Sequence, residues 1–406
     1  MTLVANIMFF LSLIIGFSIL FSFGLQFFNV SYNKKMVNML WILMVLLFSY
    51  FLFFAEPFKT EDLYRHYKAA EMLGNSSFST SMLLGSSKIN SYGPQAIWNL
   101  YIFIIGKLGI YGLIPAMGYF ITRIVILPIW NNYRFDSKED KIFIFIMMFS
   151  LALCDVHLSF SGVRCTAVMA ILAYAYLCIY LKKVSHWQIK CVFISFICFF
   201  IHIATLVPIL ILTIYEITKF VLNSNSTNLR TKKITKVFFI SFPFICVFSL
   251  PLIGKVLSFC KFNEVLILIS NKIHDYTTYT ENYMFVNHWS ILKIIMVVFA
   301  LYILYKSKQY VEKNYYYFTL YFIYFSIIVS FGYTILWDRV LYFIAFLSLP
   351  AIIKAFENNK INKYFKYGYV IVAGLVILLN INASMAYNTF NGVDFYRLLW
   401  KSWGGR

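Results

Sequence analysis

Runs of roughly 20 apolar residues recur from Leu3 to Tyr387, each long enough to cross ~30 Å of hydrocarbon as an α-helix. Hydrocarbon leaves a chain few options, because every backbone N–H and C=O must be satisfied within the protein. A closed β-barrel would be written as weakly alternating segments of about 10 residues. This chain instead carries continuous runs such as IFIFIMMFSLALC from Ile142 and CTAVMAILAYAYLCIYL from Cys165. It is 61% hydrophobic and only 13% charged, where soluble domains carry about a quarter charged residues. The expected fold class is all-α: a polytopic integral membrane protein with about 12 transmembrane helices and an outer-face cavity, one transmembrane domain over 1–406.

The spans are expected at 3–28, 39–55, 109–130, 142–158, 164–181, 187–202, 203–220, 237–254, 289–305, 314–336, 340–356 and 367–387. The run Leu3–Phe28 is too long for a signal-peptide core and has no basic residues before it, so it reads as a retained first span. The segment Tyr92–Gly106 is short for a crossing and reads as an interfacial or re-entrant helix. The stretch from Cys191 to Ile217 must fold as a hairpin between basic loops, with its tip at His202. Cys178, Cys191, Cys198 and Cys246 lie in apolar runs without metal-ligand spacing and read as small buried hydrophobes.

The net charge of +19 would suggest nucleic acid in a soluble protein. Here it marks topology, and no nucleic-acid partner is expected. Lys and Arg collect in the loops 30–38, 131–141, 182–190, 219–236, 306–313 and 354–366, which together hold 20 of the 35. Loops of that kind stay in the cytoplasm. The other loops, including the longer ones at 56–93 and 255–288, then fall on the outer side and contribute to any site there.

This topology puts Arg164, His202, Arg339 and Asp62 at one membrane face. Arg123, Glu216 and Lys293 are left as the charged residues at mid-depth. A channel would stripe polar groups through several spans, and a proton-coupled transporter would hold acids at mid-depth. Taken singly, the residues have plainer readings. Arg164 and Arg339 can snorkel to headgroups. His202 can be a packed histidine, and Asp62 can cap the helix that follows it. Asp338 and Arg339 can form a local ion pair, and Tyr276 and Tyr279 can sit in an aromatic belt. Taken together, they make a chemical set. Two arginines offer forks suited to diphosphate. Asp62, His66 or His202 can accept a proton from a sugar hydroxyl. Arg65, Tyr67, Tyr92, Tyr276, Tyr279 and Asp338 supply sugar or accessory contacts. That set fits glycosyl transfer from a polyprenyl diphosphate donor. Fixed positive charge would stabilise the leaving group without any metal or cofactor.

An ordered series of short motifs extends the reading. It comprises the Asp62-to-Tyr67 spacing, YGPQAIWNLYIFIIGKLG from Tyr92, LSFSGVRCTAVMAILAYAY around Arg164, FFIHIATLVPILI around His202, the segment HDYTTY, and WDRVLYFIAFLSLP around Arg339. In this order the chain resembles the EpsG-like, Wzy-type polysaccharide polymerases. The series departs from many relatives in having Cys165 after Arg164 and Tyr92–Gly93–Pro94 where Glu-Pro-Gly is common. The resemblance implies an enzyme of the bacterial inner membrane with its active site on the periplasmic or extracellular side. Its substrates would be undecaprenyl-diphosphate-linked oligosaccharides, polymerised into O-antigen, capsule or exopolysaccharide. It further implies membrane lipid and a chain-length regulator protein as partners. Arg164 and Arg339 would bind the diphosphate, with Asp62 or His202 as the base. The competing readings are a polyprenyl-phosphate-sugar glycosyltransferase, an O-antigen ligase, and a non-enzymatic flippase for the same lipid-linked sugars.

Overall fold

The computed structural model describes residues 34–57, 62–79, 95–133, 142–154, 159, 162–181, 187–225, 227–259, 266–267, 270–271, 273–274, 289–331, 333–358 and 360–390. The expected first span, 3–28, lies outside them. In chain order the helices are α1 (Lys34–Leu52), α2 (Asp62–Gly74), α3 (Ala96–Leu108), α4 (Leu113–Ile124), α5 (Ile126–Tyr133), α6 (Ile142–Leu153), α7 (Val163–Leu181) and α8 (Trp187–Ile201). A 3₁₀ turn (Ile203–Thr205) leads into α9 (Leu206–Asn223), followed by α10 (Leu229–Ser258), α11 (Trp289–Ser307), α12 (Lys313–Ser330), α13 (Thr334–Leu347), α14 (Leu349–Glu357) and α15 (Lys363–Tyr387). Two three-residue strands, β1 (Ala55–Pro57) and β2 (Asn388–Phe390), pair antiparallel. They tie the end of α1 to the end of α15 and are a small exception to the all-α expectation.

Among the described residues, four helical stretches are long and apolar enough to cross a membrane: 113–133, 163–181, 203–223 and 229–258. The α13–α14 pair makes a fifth if its 42° bend is counted within one span. The expected continuous span 340–356 is therefore broken at Ser348, where Pro350 opens α14 in its first turn. The span expected at 142–158 ends as a helix at Leu153, and the one expected at 237–254 runs longer, over all of α10.

The side-chain contacts define two ends of the bundle. At one end Asn38 donates to Asn131 (3.2 Å), and the Tyr215 hydroxyl donates to the Asn314 carbonyl (3.0 Å). The Tyr315 hydroxyl donates there to the Leu347 carbonyl (2.8 Å). The described parts of the basic loops 30–38, 131–141, 219–236 and 306–313 lie at this end. At the other end lie the α1–α4 connection, the start of α7 and the tip between α8 and α9. A large apolar core joins the two, built around Trp41, Trp130, Phe143, Phe149, Tyr176, Phe318 and Phe343.

Two prolines inside α10 show how the bundle satisfies its backbone. Pro243 and Pro251 have no N–H to give the carbonyls four residues back, those of Phe239 and Val247. The Tyr321 hydroxyl donates to the Phe239 carbonyl at 2.9 Å, and the Tyr333 hydroxyl to the Val247 carbonyl at 2.6 Å. Tertiary tyrosines thus supply the bonds that proline removes.

Candidate functional site

The site is built at the end of the bundle away from the basic loops. α2 is amphipathic. Leu63, His66, Ala69, Ala70, Leu73 and Gly74 face inward, while Asp62, Arg65, Lys68 and Glu71 lie on the wet face. The inward face meets α3 through glycine. A Cβ on Gly74 would lie 2.5 Å from the Gly106 carbonyl carbon, and one on Gly106 would meet the Ala70 carbonyl oxygen more closely still. Only two bare glycines allow this crossing. α3 then stops at Gly109, whose φ of 66° suits glycine and whose N–H, with that of Ile110, closes the last turn. The expectation of a short helix at 92–106 agrees with α3, a 13-residue helix beginning at Ala96.

The α2–α3 pair carries three residues onto the start of α7. The Arg164 guanidinium donates to the Gln95 side-chain oxygen and lies over the Trp98 ring, 5.4 Å from its centre. His66 packs edge-on against the same ring at 5.1 Å. Trp98 therefore packs against both an imidazole and a guanidinium. His66 is buried, and burial is the first cause that holds its pKa well below the ordinary histidine value; Arg164 and Arg65 add to it by repulsion. The imidazole is neutral at physiological pH. Arg164 stands in the first turn of α7, where the helix dipole disfavours a cation. The Gln95 oxygen and the Trp98 face offset that cost, and the combined positive field attracts anions.

The second arginine enters from α13, which packs along α7. Arg339 lies over the Tyr342 ring at 5.7 Å. Arg339 and Arg164 both act electrostatically on the buried Cys165 thiol. Arg164 and Arg339 stand on two packed helices, α7 and α13, far apart in sequence, and both influence the buried Cys165. Both are partly buried.

Several expectations are corrected here. Asp338 does not make its ion pair with Arg339: its carboxylate accepts from Lys293 Nζ at 3.0 Å, across from α11. Adjacent residues on a helix point about 100° apart, so Asp338 faces α11 while Arg339 faces α7. Lys293 is accordingly not a mid-depth charge, since it sits one turn into α11 at the site end. Asp62 pairs with Arg65 on its own helix, both partly exposed. His202 is at the hairpin tip as expected, but its Nδ1 accepts the Ala204 N–H at 3.1 Å and caps the 3₁₀ turn. Tyr67 donates to the Ala55 carbonyl at 2.9 Å and steadies β1. The remaining mid-depth charges serve the scaffold. Glu216 accepts from Tyr180 (2.8 Å) towards the basic end. Arg123 is fully buried and donates to the Ser150 and Cys154 carbonyls and the Ser159 hydroxyl, at 3.3, 2.7 and 2.9 Å. Tyr92, Tyr276 and Tyr279 lie outside the described residues.

Gln95, Trp98, Cys165 and Lys293 complete the cluster, and sequence reasoning gave none of them a role. A signal existed for Gln95 and Trp98, which fall inside the same quoted stretch as Tyr92. Among the described residues no group of three or more His, Cys, Asp and Glu is placed to hold a metal ion. Comparison with protein families, with curated proteins and with solved structures finds no match for this chain.

Proposed function

We propose that the protein is a membrane glycosyltransferase that polymerises undecaprenyl-diphosphate-linked oligosaccharide repeats. It works at the outer face of the bacterial inner membrane, within a bundle of about 12 spans. The growing chain leaves its lipid diphosphate and joins the non-reducing end of a new lipid-linked repeat. The observation that carries this reading is the placement of Arg164 and Arg339 at the starts of two packed helices, α7 and α13, at the end of the bundle opposite the basic loops. Two guanidinium forks in a partly buried setting are suited to a diphosphate, whose negative charge grows as the sugar bond breaks. No metal enters this scheme. The proton acceptor for the attacking hydroxyl is drawn from His202 and Asp62.

The test is deletion and complementation in the native host, with surface polysaccharide resolved on gels. Arg164→Ala and Arg339→Ala are expected to leave single repeats and abolish long chains while the protein still reaches the membrane. His202→Gln and Asp62→Asn, run beside them, separate the two candidate bases. Unchanged long chains in both arginine variants would overturn the reading.

A further inference from the structure

The Lys293–Asp338 pair is unlike the other ion pairs among the described residues. It is the one that joins two distant helices, whereas the others link residues three apart on one helix. It lies at the site end, and Asp338 immediately precedes Arg339. The Lys293 side chain is 10% exposed and that of Asp338 33%. Lys293 is largely removed from solvent and Asp338 partly so, and breaking one half of such a pair leaves a carboxylate or an ammonium uncompensated.

We propose that Lys293 is a charge-balancing, positioning residue for the anion site: it cancels Asp338, so that the positive field of Arg339 and Arg164 reaches a diphosphate undiminished. This rests on the reading of the site given above. A bare carboxylate one residue from Arg339 would draw the guanidinium toward itself and repel an incoming anion. With Lys293 engaged from α11, the pair is neutral and Asp338 is held on the side of α13 away from α7. The local balance is then simple. The pair contributes zero in the wild type, one negative charge without Lys293, one positive charge without the Asp338 carboxylate, and zero again when both are neutralised.

That arithmetic fixes an order of affinities. The probe is farnesyl diphosphate, titrated calorimetrically into the purified full-length protein in detergent, with farnesol as the uncharged control. Lys293→Met is expected to weaken diphosphate binding at least tenfold. Asp338→Asn is expected to tighten it several-fold. The double variant Lys293→Met/Asp338→Asn returns to within about threefold of wild type, and Lys293→Arg keeps wild-type affinity. A purely structural pair would instead weaken binding in both single variants, and that result overturns the inference. Asp338→Asn keeps the test decisive if Lys293→Met fails to fold. If the wild type binds farnesyl diphosphate no better than farnesol, or if Arg339→Ala leaves the affinity unchanged, the diphosphate reading itself fails. If binding needs Arg339 but the four proteins do not follow the order above, the role of Lys293 alone is wrong.

Discussion

The tyrosine–proline pairs of α10 make a quantitative test of the fold. Pro251 removes the N–H that would bond the Val247 carbonyl, and the Tyr333 hydroxyl replaces it at 2.6 Å. Tyr333→Phe keeps the ring and deletes that donor. The orphaned carbonyl then costs about 1–3 kcal/mol. The same change in a Pro251→Ala background should cost much less, because alanine restores the helical N–H to Val247. The coupling between the two sites is expected at roughly 1–2 kcal/mol. The measurement is an unfolding titration in mixed micelles followed by tryptophan fluorescence, on the four proteins of the cycle. Tyr321→Phe with Pro243→Ala repeats the logic at Phe239. If Tyr333→Phe costs the same with and without the proline, the hydroxyl is not standing in for the missing N–H and the argument fails.

Three further outcomes follow from the same packing. Arg123→Met should destabilise by about 3–5 kcal/mol in the same titration, since it strips two buried carbonyls and a hydroxyl of a charged donor; Arg123→Met within about 1 kcal/mol of wild type would show those bonds to be dispensable. Gly106→Ala should separate α2 from α3 and weaken farnesyl diphosphate binding by disturbing Trp98 under Arg164, read by calorimetry. His66 is neutral when folded, while its unfolded form takes a proton near pH 6.5, so the unfolded state binds more protons just below that value and stability rises with pH there. The slope should approach about 1.4 kcal/mol per pH unit below pH 6.5, vanish above it, and be absent in His66→Gln. A slope that survives His66→Gln would assign it to other groups.

The sequence made the helices legible, because continuous apolar runs and clustered lysines leave little freedom in a bilayer. The hairpin tip at His202 followed from run length together with the flanking basic loops, and the short helix before Gly109 from run length. Pairing between helices was not legible. Nothing local tells Asp338 that its partner is Lys293 rather than its neighbour Arg339; that choice is made by the packing of α11 on the rest of the bundle. The break at Ser348 had a signal in Pro350, but one proline near the end of a long apolar run reads equally well as tolerated. The Gly74–Gly106 crossing also had its residues in view without any hint that they would meet. The β1–β2 pairing joins segments more than three hundred residues apart and had no signature at all.

Three arginines within the bundle raise the question of which can meet a ligand, and their surroundings answer it. Arg123 is fully enclosed, and its terminal nitrogens are aimed at the backbone that ends α6. It completes a helix C-terminus, where a cation is favoured by the dipole, and it serves the fold. Arg164 is only partly buried, stands where the dipole disfavours it, donates to the Gln95 amide oxygen and lies over the Trp98 ring. Arg339 lies over Tyr342 and beside Cys165, next to a carboxylate already neutralised by Lys293. Placing a cation at a helix N-terminus costs stability unless something negative completes it. An anion bound at Arg164 would complete that helix N-terminus and should stabilise the folded protein. Farnesyl diphosphate is therefore expected to raise the unfolding free energy of the wild type, by about 2.7 kcal/mol at a hundredfold excess over its dissociation constant. It should raise that of Arg123→Lys equally, and leave Arg164→Ala unchanged. Equal stabilisation of Arg164→Ala and the wild type would place the anion elsewhere and remove Arg164 from the site.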